Sequence, residues 1–197
     1  MTTEYDTLAR GVAVPPDRTF GVQIGSKLIA DLRTPKAEEI DLEGLEAALK
    51  TLRRFSSTPG ALVVWDHEIV VEELMKAIDP SMPEEVLWWG RHHDDHEGVI
   101  GDLPGPFGRL INEYTDIVSV TKGNLDRVIC AAHGRPYPSF TTRSRVSPYD
   151  RLSETLEWRF LLGHPQRPWN VNLDAFHPAW NENGLRSLFL AIVDGLR

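Results

Sequence analysis

The segment RHHDDHEGVIGDLPGPFGR, residues 91–109, sets three of the chain's seven histidines among acids. On a helix, His93, Asp94 and Glu97 would stand at i, i+1 and i+4 and share one face. An imidazole beside a carboxylate suits a borderline or hard divalent cation such as Mn²⁺, Fe²⁺, Co²⁺ or Zn²⁺. Two ligands do not hold a catalytic metal tightly, so others must come from elsewhere. His67, preceded by Asp66 near the start of its own helix, is one candidate, and Asp150, near the start of a helix over 149–162, is another. A solvated helix face carries similar clusters, and composition and spacing alone leave both readings open. The neighbours favour the metal. Val86 and Trp89 stand seven and four residues before His93 and put it on the buried stripe of its helix. A carboxylate buried there without a cation or a donor would be strongly unfavourable.

The elements that must position these residues are legible as periodicities. Residues 1–18 contain Pro15-Pro16 and no period, and read as a loosely held arm. Residues 19–32 read as two short strands turning at Gly25-Ser26. With Asp41 as N-cap, Leu42, Leu45, Leu49, Leu52 and Phe55 predict one helix reaching Phe55, broken by Pro59-Gly60. Val70, Val71, Leu74 and Ile78 predict a second over 66–78. Ser81 and Pro83 open a third, which carries the histidines. Helical character returns after Pro104 and Pro106, and Leu125, Val128, Ile129 and Ala132 form a stripe closing at Gly134. A polar stretch, 135–147, precedes the amphipathic 149–162 segment. Residues 164–181 read as a long ordered loop, and Leu185, Leu188, Phe189, Ile192 and Val193 mark a last helix. The expected fold is one all-α domain over 19–197 with a small N-terminal β-hairpin.

Composition bounds the partners. The chain has 197 residues, 21 Lys plus Arg against 29 Asp plus Glu, and a formal charge of -8. That balance argues against a polymeric nucleic acid or an anionic membrane as partner, since either selects a basic face. A small anionic substrate remains open to it, because a local metal or arginine pair outweighs the global field. Hydrophobic residues at 41% and charged residues at 25% are ordinary for a globular domain. The single cysteine, Cys130, excludes an intramolecular disulfide and a Cys-based zinc finger. No apolar run approaches the roughly 18 residues of a membrane span. Met1-Thr2-Thr3-Glu4 lacks the basic and apolar regions of a signal peptide, so a cytoplasmic location is expected.

Taken together, the motifs resemble those of the HD-domain phosphohydrolases. The likeness is to the compact branch that includes 5′-deoxynucleotidases and phage dATP triphosphohydrolases. HDDHEGVIGDLPGP, from His93 to Pro106, follows the branch's pattern of an HD pair, an acid three residues on, then Gly-Asp, a hydrophobic residue and proline. Arg54-Phe55 and Asp66-His67 are similar to its upstream signature, and Val146, Asp150 and Glu157 to its downstream one. The resemblance spans roughly residues 20–163. It implies an HD-type helical bundle with a divalent metal ion (Mn, Co, Zn, Fe or Mg) held by His67, His93, Asp94 and Asp150. It further implies that Glu97 orients or deprotonates water, that Asp102 is a second functional acid, that Arg54 binds phosphate, and that Phe55 flanks base or sugar. Three positions depart from the family pattern. Gly108 stands where a lysine is frequent, with Arg109 next to it; Ser147 replaces another lysine, with Arg145 nearby; Glu68 replaces a serine.

The resemblance implies a metal-dependent phosphohydrolase acting on a deoxynucleotide, foremost a dNTP (dATP-like) triphosphohydrolase releasing deoxynucleoside and triphosphate. A 5′-deoxynucleotidase acting on dNMP is the alternative; a non-catalytic metal or nucleotide binder and a di-iron oxygenase are readings of other classes. Relatives form oligomers, so a homo-oligomer is expected. Arg109, Arg145 and Arg54 are expected to supply phosphate-binding charge and Trp65 to line the pocket. His92 and His96 are expected in supporting or exposed roles, with contact to substrate or a second metal the alternative for His96, Arg53 at a solvated helix end, and Glu157 as partner of a buried group. His133, His164 and His177 are expected to be structural, the remaining tryptophans core or interface residues, and Cys130 an inert core residue.

Overall fold

A computed structural model describes residues 20–172 and 180–197. The expected arm at 1–18, His177 and residues 173–179 of the expected loop lie outside the described residues. Strands β1 (Val22–Ile24) and β2 (Lys27–Ile29) pair antiparallel, Val22 opposite Ile29. Gly25 turns the chain between them at φ 51. Asp41 then does two jobs. Its carboxylate accepts from Gly44 N at 3.2 Å, capping helix α1 (Leu42–Leu49), and from Ser26 N at 2.7 Å, which pins the hairpin turn to that helix.

Helix α1 ends at Leu49, six residues short of the Phe55 that the leucine spacing predicts. The backbone beyond it finds other partners: Val64 N donates to Leu52 O at 2.9 Å and Arg54 N to Leu62 O at 3.0 Å. The chain then reverses through Phe55, Ser56 and Ser57, all left-handed with φ of 53, 53 and 63. Apolar spacing registered the buried side of 52–55 but could not see this pairing.

Helices α2 (Val64–Ile78) and α3 (Glu84–His92) pack together. The chain continues as α4 (Glu97–Ile100), α5 (Gly105–Asn112), α6 (Ile117–Ala132), α7 (Phe140–Phe160) and α8 (Glu182–Gly195). One core, formed by α2, α3, α7 and α8, contains Val71, Leu74, Val86, Leu152, Leu156 and Phe189. A second joins the hairpin, α1 and α6 through Ile29, Leu45, Leu49, Leu125 and Ile129, with Val64 reaching it from α2. The fold is thus mainly helical with a small N-terminal hairpin. Among the described residues no helix is long and apolar enough to cross a membrane.

Two further boundaries differ from expectation, and both matter for the site. Helix α7 starts at Phe140, nine residues before the predicted start, and carries Pro148 inside it. Ser139 caps it, accepting from Thr142 N at 3.1 Å. Its buried face reads Thr142, Val146, Tyr149, Leu152, Ser153 and Leu156, and the polar members break the apolar period. Asp150 therefore sits in mid-helix. Helix α3 ends at His92, and residues 93–96 form a turn before α4. Its bonds span three residues, as in Glu97 N to Asp94 O at 2.8 Å and Gly98 N to Asp95 O at 3.1 Å. His93, Asp94 and Glu97 do not share one helix.

Candidate metal centre

The packing of α2, α3 and α7 against one another brings four side chains together here. His67 is on the first turn of α2, His93 caps the end of α3, Asp94 follows in the turn, and Asp150 projects from the middle of α7. His67 Nε2 lies 3.2 Å from Asp150 Oδ1 and 3.8 Å from Asp94 Oδ2. His93 Nε2 lies 3.5 Å from each of the same two oxygens. One ligand atom from each of the four fits within 4.8 Å of all the others.

Each imidazole is oriented from behind. His93 Nδ1 is 2.9 Å from Gly90 O, and since a carbonyl can only accept, Nδ1 carries a proton and Nε2 faces the carboxylates. Ser153 Oγ lies 3.2 Å from His67 Nδ1 and can accept from it, which frees His67 Nε2. His93 Nε2 is buried and without a hydrogen-bond partner. An unpartnered ring nitrogen between two carboxylates, with a second imidazole alongside, fits a divalent cation of the N/O-binding kind.

Electrostatics favour positive charge at the same place. Burial opposes charge on His93, yet Asp94 and Asp150 outweigh it and push the imidazole up to about 10. A proton there occupies the place a cation would take. His67 is pushed down to about 4 by burial and by the Arg54 charge, so it is neutral and ready to ligate. Burial would raise Asp94, but chiefly the His93 charge holds it down at about 2. Asp150 likewise stays well below the usual carboxylate range despite burial, through the neighbouring His67 and His93 imidazoles.

Around this centre, Arg54 is buried with Nη1 3.4 Å from Asp94 Oδ2 and Nε 3.4 Å from Glu157 Oε2. Glu157 also accepts from Leu62 N at 2.6 Å, so it holds Arg54 to the 52–64 connection. Phe55 packs on Trp158 at 5.0 Å between ring centroids, and Asp102 accepts from Ser56 N at 3.4 Å, bracing the left-handed turn. Glu97 stands outside the group of four but gathers with Asp94 and His96. Its Oε1 is 3.6 Å from Lys122 Nζ, while Oε2 is buried and unpartnered. Burial, then the Asp94 charge, raises Glu97 well above the ordinary carboxyl range. His96 is buried with Nδ1 2.9 Å from Asp126 Oδ1, and its Nε2 is unpartnered too.

Several expected residues stand elsewhere. Trp65 faces away from the centre, under the guanidinium of Arg91 at 3.7 Å and beside His92, Asp95 and His133. It lies on the far flank of α2. Arg109 is exposed on α5, and Arg145 is 3.6 Å from Asp79 Oδ2 near the opposite end of α2. Their sequence proximity to the motifs did not carry over because α5 and α7 direct them outward. His133 is not isolated but meets His92 and Asp95. His164 packs on Trp158 at 5.0 Å, and Cys130 is buried with its thiol pushed up to about 12 by desolvation.

Two residues of the surroundings had no role assigned from sequence. Glu68, fully buried, accepts from Asp94 N at 3.1 Å and from Arg91 Nη1 at 3.1 Å. Its signal was an acid inside the apolar stripe of α2, directly after His67. Lys122 came without a signal, since it reaches Glu97 only across the α4–α6 contact. No family model matches this chain, and no curated protein matches it significantly.

Proposed function

We propose that the chain is a metal-dependent phosphohydrolase of the HD-domain type, acting on a deoxynucleotide. The observation that carries this reading is the convergence of His67 from α2, His93 and Asp94 from the turn after α3, and Asp150 from α7, with the buried Arg54 beside them. These four residues would hold the cation. Once bound, a divalent ion supplies Lewis acidity to a phosphate oxygen and makes water a better nucleophile. Arg54 offers guanidinium donors to phosphate while Glu157 keeps its Nε side fixed, so the fork is pre-oriented. Glu97, steadied at Oε1 by Lys122, takes the proton of the attacking water on the unpartnered Oε2. Phe55, held against Trp158, offers a face to base or sugar. Asp102 keeps the Arg54–Ser57 turn in register through Ser56 N.

Among deoxynucleotides, the motif resemblance favours a dNTP cleaved to deoxynucleoside and triphosphate. One observation favours the 5′-deoxynucleotidase instead: Arg109 and Arg145 lie away from the centre, leaving Arg54 as the arginine in contact with it. A monophosphate needs less compensating charge than a triphosphate. Product analysis on dNTPs and dNMPs with Mn²⁺ or Co²⁺ separates them. Triphosphate released from a dNTP supports the first; orthophosphate from dNMPs with no triphosphate supports the second; no product from either overturns the hydrolase reading. In the same assay Asp94→Ala loses both turnover and the metal of this centre, whereas Glu97→Gln keeps that metal and loses about 10²-fold or more in rate. Full activity in Asp94→Ala would displace the site.

A further inference from the structure

A second convergence of imidazole and carboxylate lies on the other side of the 93–96 turn. His92, the last residue of α3, has Nδ1 3.0 Å from Asp95 Oδ2. His133, the C-cap of α6, brings Nε2 to 3.6 Å from the same oxygen. One ligand atom from each of the three lies within 4.8 Å of the others. Asp95 is buried, whereas both imidazoles are partly exposed and line a cavity shared with Glu43, Glu46 and Trp65.

The doublets of His92-His93-Asp94-Asp95 have a geometric explanation. Where α3 ends and the backbone tightens, sequence neighbours diverge. His93 and Asp94 meet His67 of α2 and Asp150 of α7, while His92 and Asp95 meet His133 of α6 across a cavity floored by α1. We propose that His92, Asp95 and His133 form a second divalent-cation site, for a borderline ion such as Zn²⁺, Co²⁺ or Ni²⁺.

Three observations carry it. Two imidazoles and one carboxylate favour such ions over Mg²⁺ or Ca²⁺, which take oxygen. The nitrogen-to-oxygen separations bracket the roughly 3.3 Å edge of a tetrahedron built on metal bonds of about 2.0–2.1 Å. The cavity opens on the site with Glu43 and Glu46 in its wall, leaving room for a further carboxylate or for water. The rings are also braced: Trp88 lies 4.7 Å from His92 and 5.7 Å from His133 between centroids. An ion here ties the end of α3 to the end of α6 and fixes from behind the turn that presents His93 and Asp94. It does not depend on what the first centre does.

The full chain, stripped with chelator and equilibrated with Co²⁺, tests this by metal counting and by the visible ligand-field spectrum. Wild type holds two equivalents, and Asp150→Ala and His133→Ala hold one each, with different spectra. The half-buried position of His133 makes truncation mild, and far-UV circular dichroism of the stripped variant checks its fold. His92→Gln repeats the arm and loses the same equivalent. The proposal is overturned if both His133→Ala and His92→Gln keep the wild-type count and spectrum, or if Asp150→Ala binds no cobalt. Because Asp150→Ala reports on the first centre and His133→Ala on the second, failure of one reading is visible without failure of the other.

Discussion

At the scale of single residues, the candidate centre favours positive charge on His93, between two carboxylates. His93 is raised to about 10 because Asp94 and Asp150 overcome its burial. Its ordinary value is near 6.5. The folded, metal-free chain therefore draws stability from protonated His93, fully present below about 6.5 and lost as pH rises through about 10. A metal must displace that proton. Uptake at pH 7 is expected to release close to one proton from His93, and affinity is expected to climb by up to about tenfold per pH unit between pH 7 and 9. Calorimetric titrations in two buffers of different ionisation enthalpy measure the release, and identical heats in both would contradict it. Glu97 is different in kind. Burial raises its carboxyl well above the ordinary range and leaves one oxygen open, so it is suited to moving a proton rather than to holding a cation.

Elements act on the site through their ends and their closest approaches. The end of α3 at His92 turns a single-face pattern into two diverging pairs, and α7 continues through Pro148 so that Asp150 is held by helix on both sides. The hairpin is seated on α1 by contact between backbones. A Cβ added at Gly44 would stand 2.5 Å from Gly25 Cα, a separation no relaxation of side chains can relieve. Gly44→Ala is thus expected to destabilise the fold by about 1–3 kcal/mol. Gly123, inside α6, has only the end of the Arg127 side chain near it, at 3.7 Å. There the helix preference of alanine prevails, and Gly123→Ala is expected to stabilise by about 0.5–1 kcal/mol. Urea unfolding of the two variants should give midpoint shifts of opposite sign. Shifts of the same sign would refute the seating of the hairpin.

Across the whole molecule, the candidate metal centre sits where α2, α3 and α7 adjoin, and α8 backs them through Phe189, which is fully buried. Phe189→Ala is expected to cost about 3–5 kcal/mol, a large part of a domain's usual margin, and to lower the thermal midpoint without touching a ligand. A midpoint within a degree or so of wild type would mean that α8 is dispensable. Much of this was legible in the chain: the Gly25-Ser26 turn located the hairpin, and helical periods and caps the start of α1, α2, α6 and α8, because each of these helices buries a regular stripe. His93 and Asp94 could be singled out by their spacing and the apolar positions before them, with His67 and Asp150 as candidates, while the set of four came from the motif resemblance. The rest depended on folding. The first part of α7 buries only Thr142 and Val146 and so shows no apolar period, a tightened turn rather than a helix carries Asp94, and Leu52 pairs with Val64 across a reversal. Local spacing therefore determined which residues could bind a cation. Only the tertiary structure decided which of them share a centre, since direction at a helix end depends on the backbone turn and on the elements packed around it.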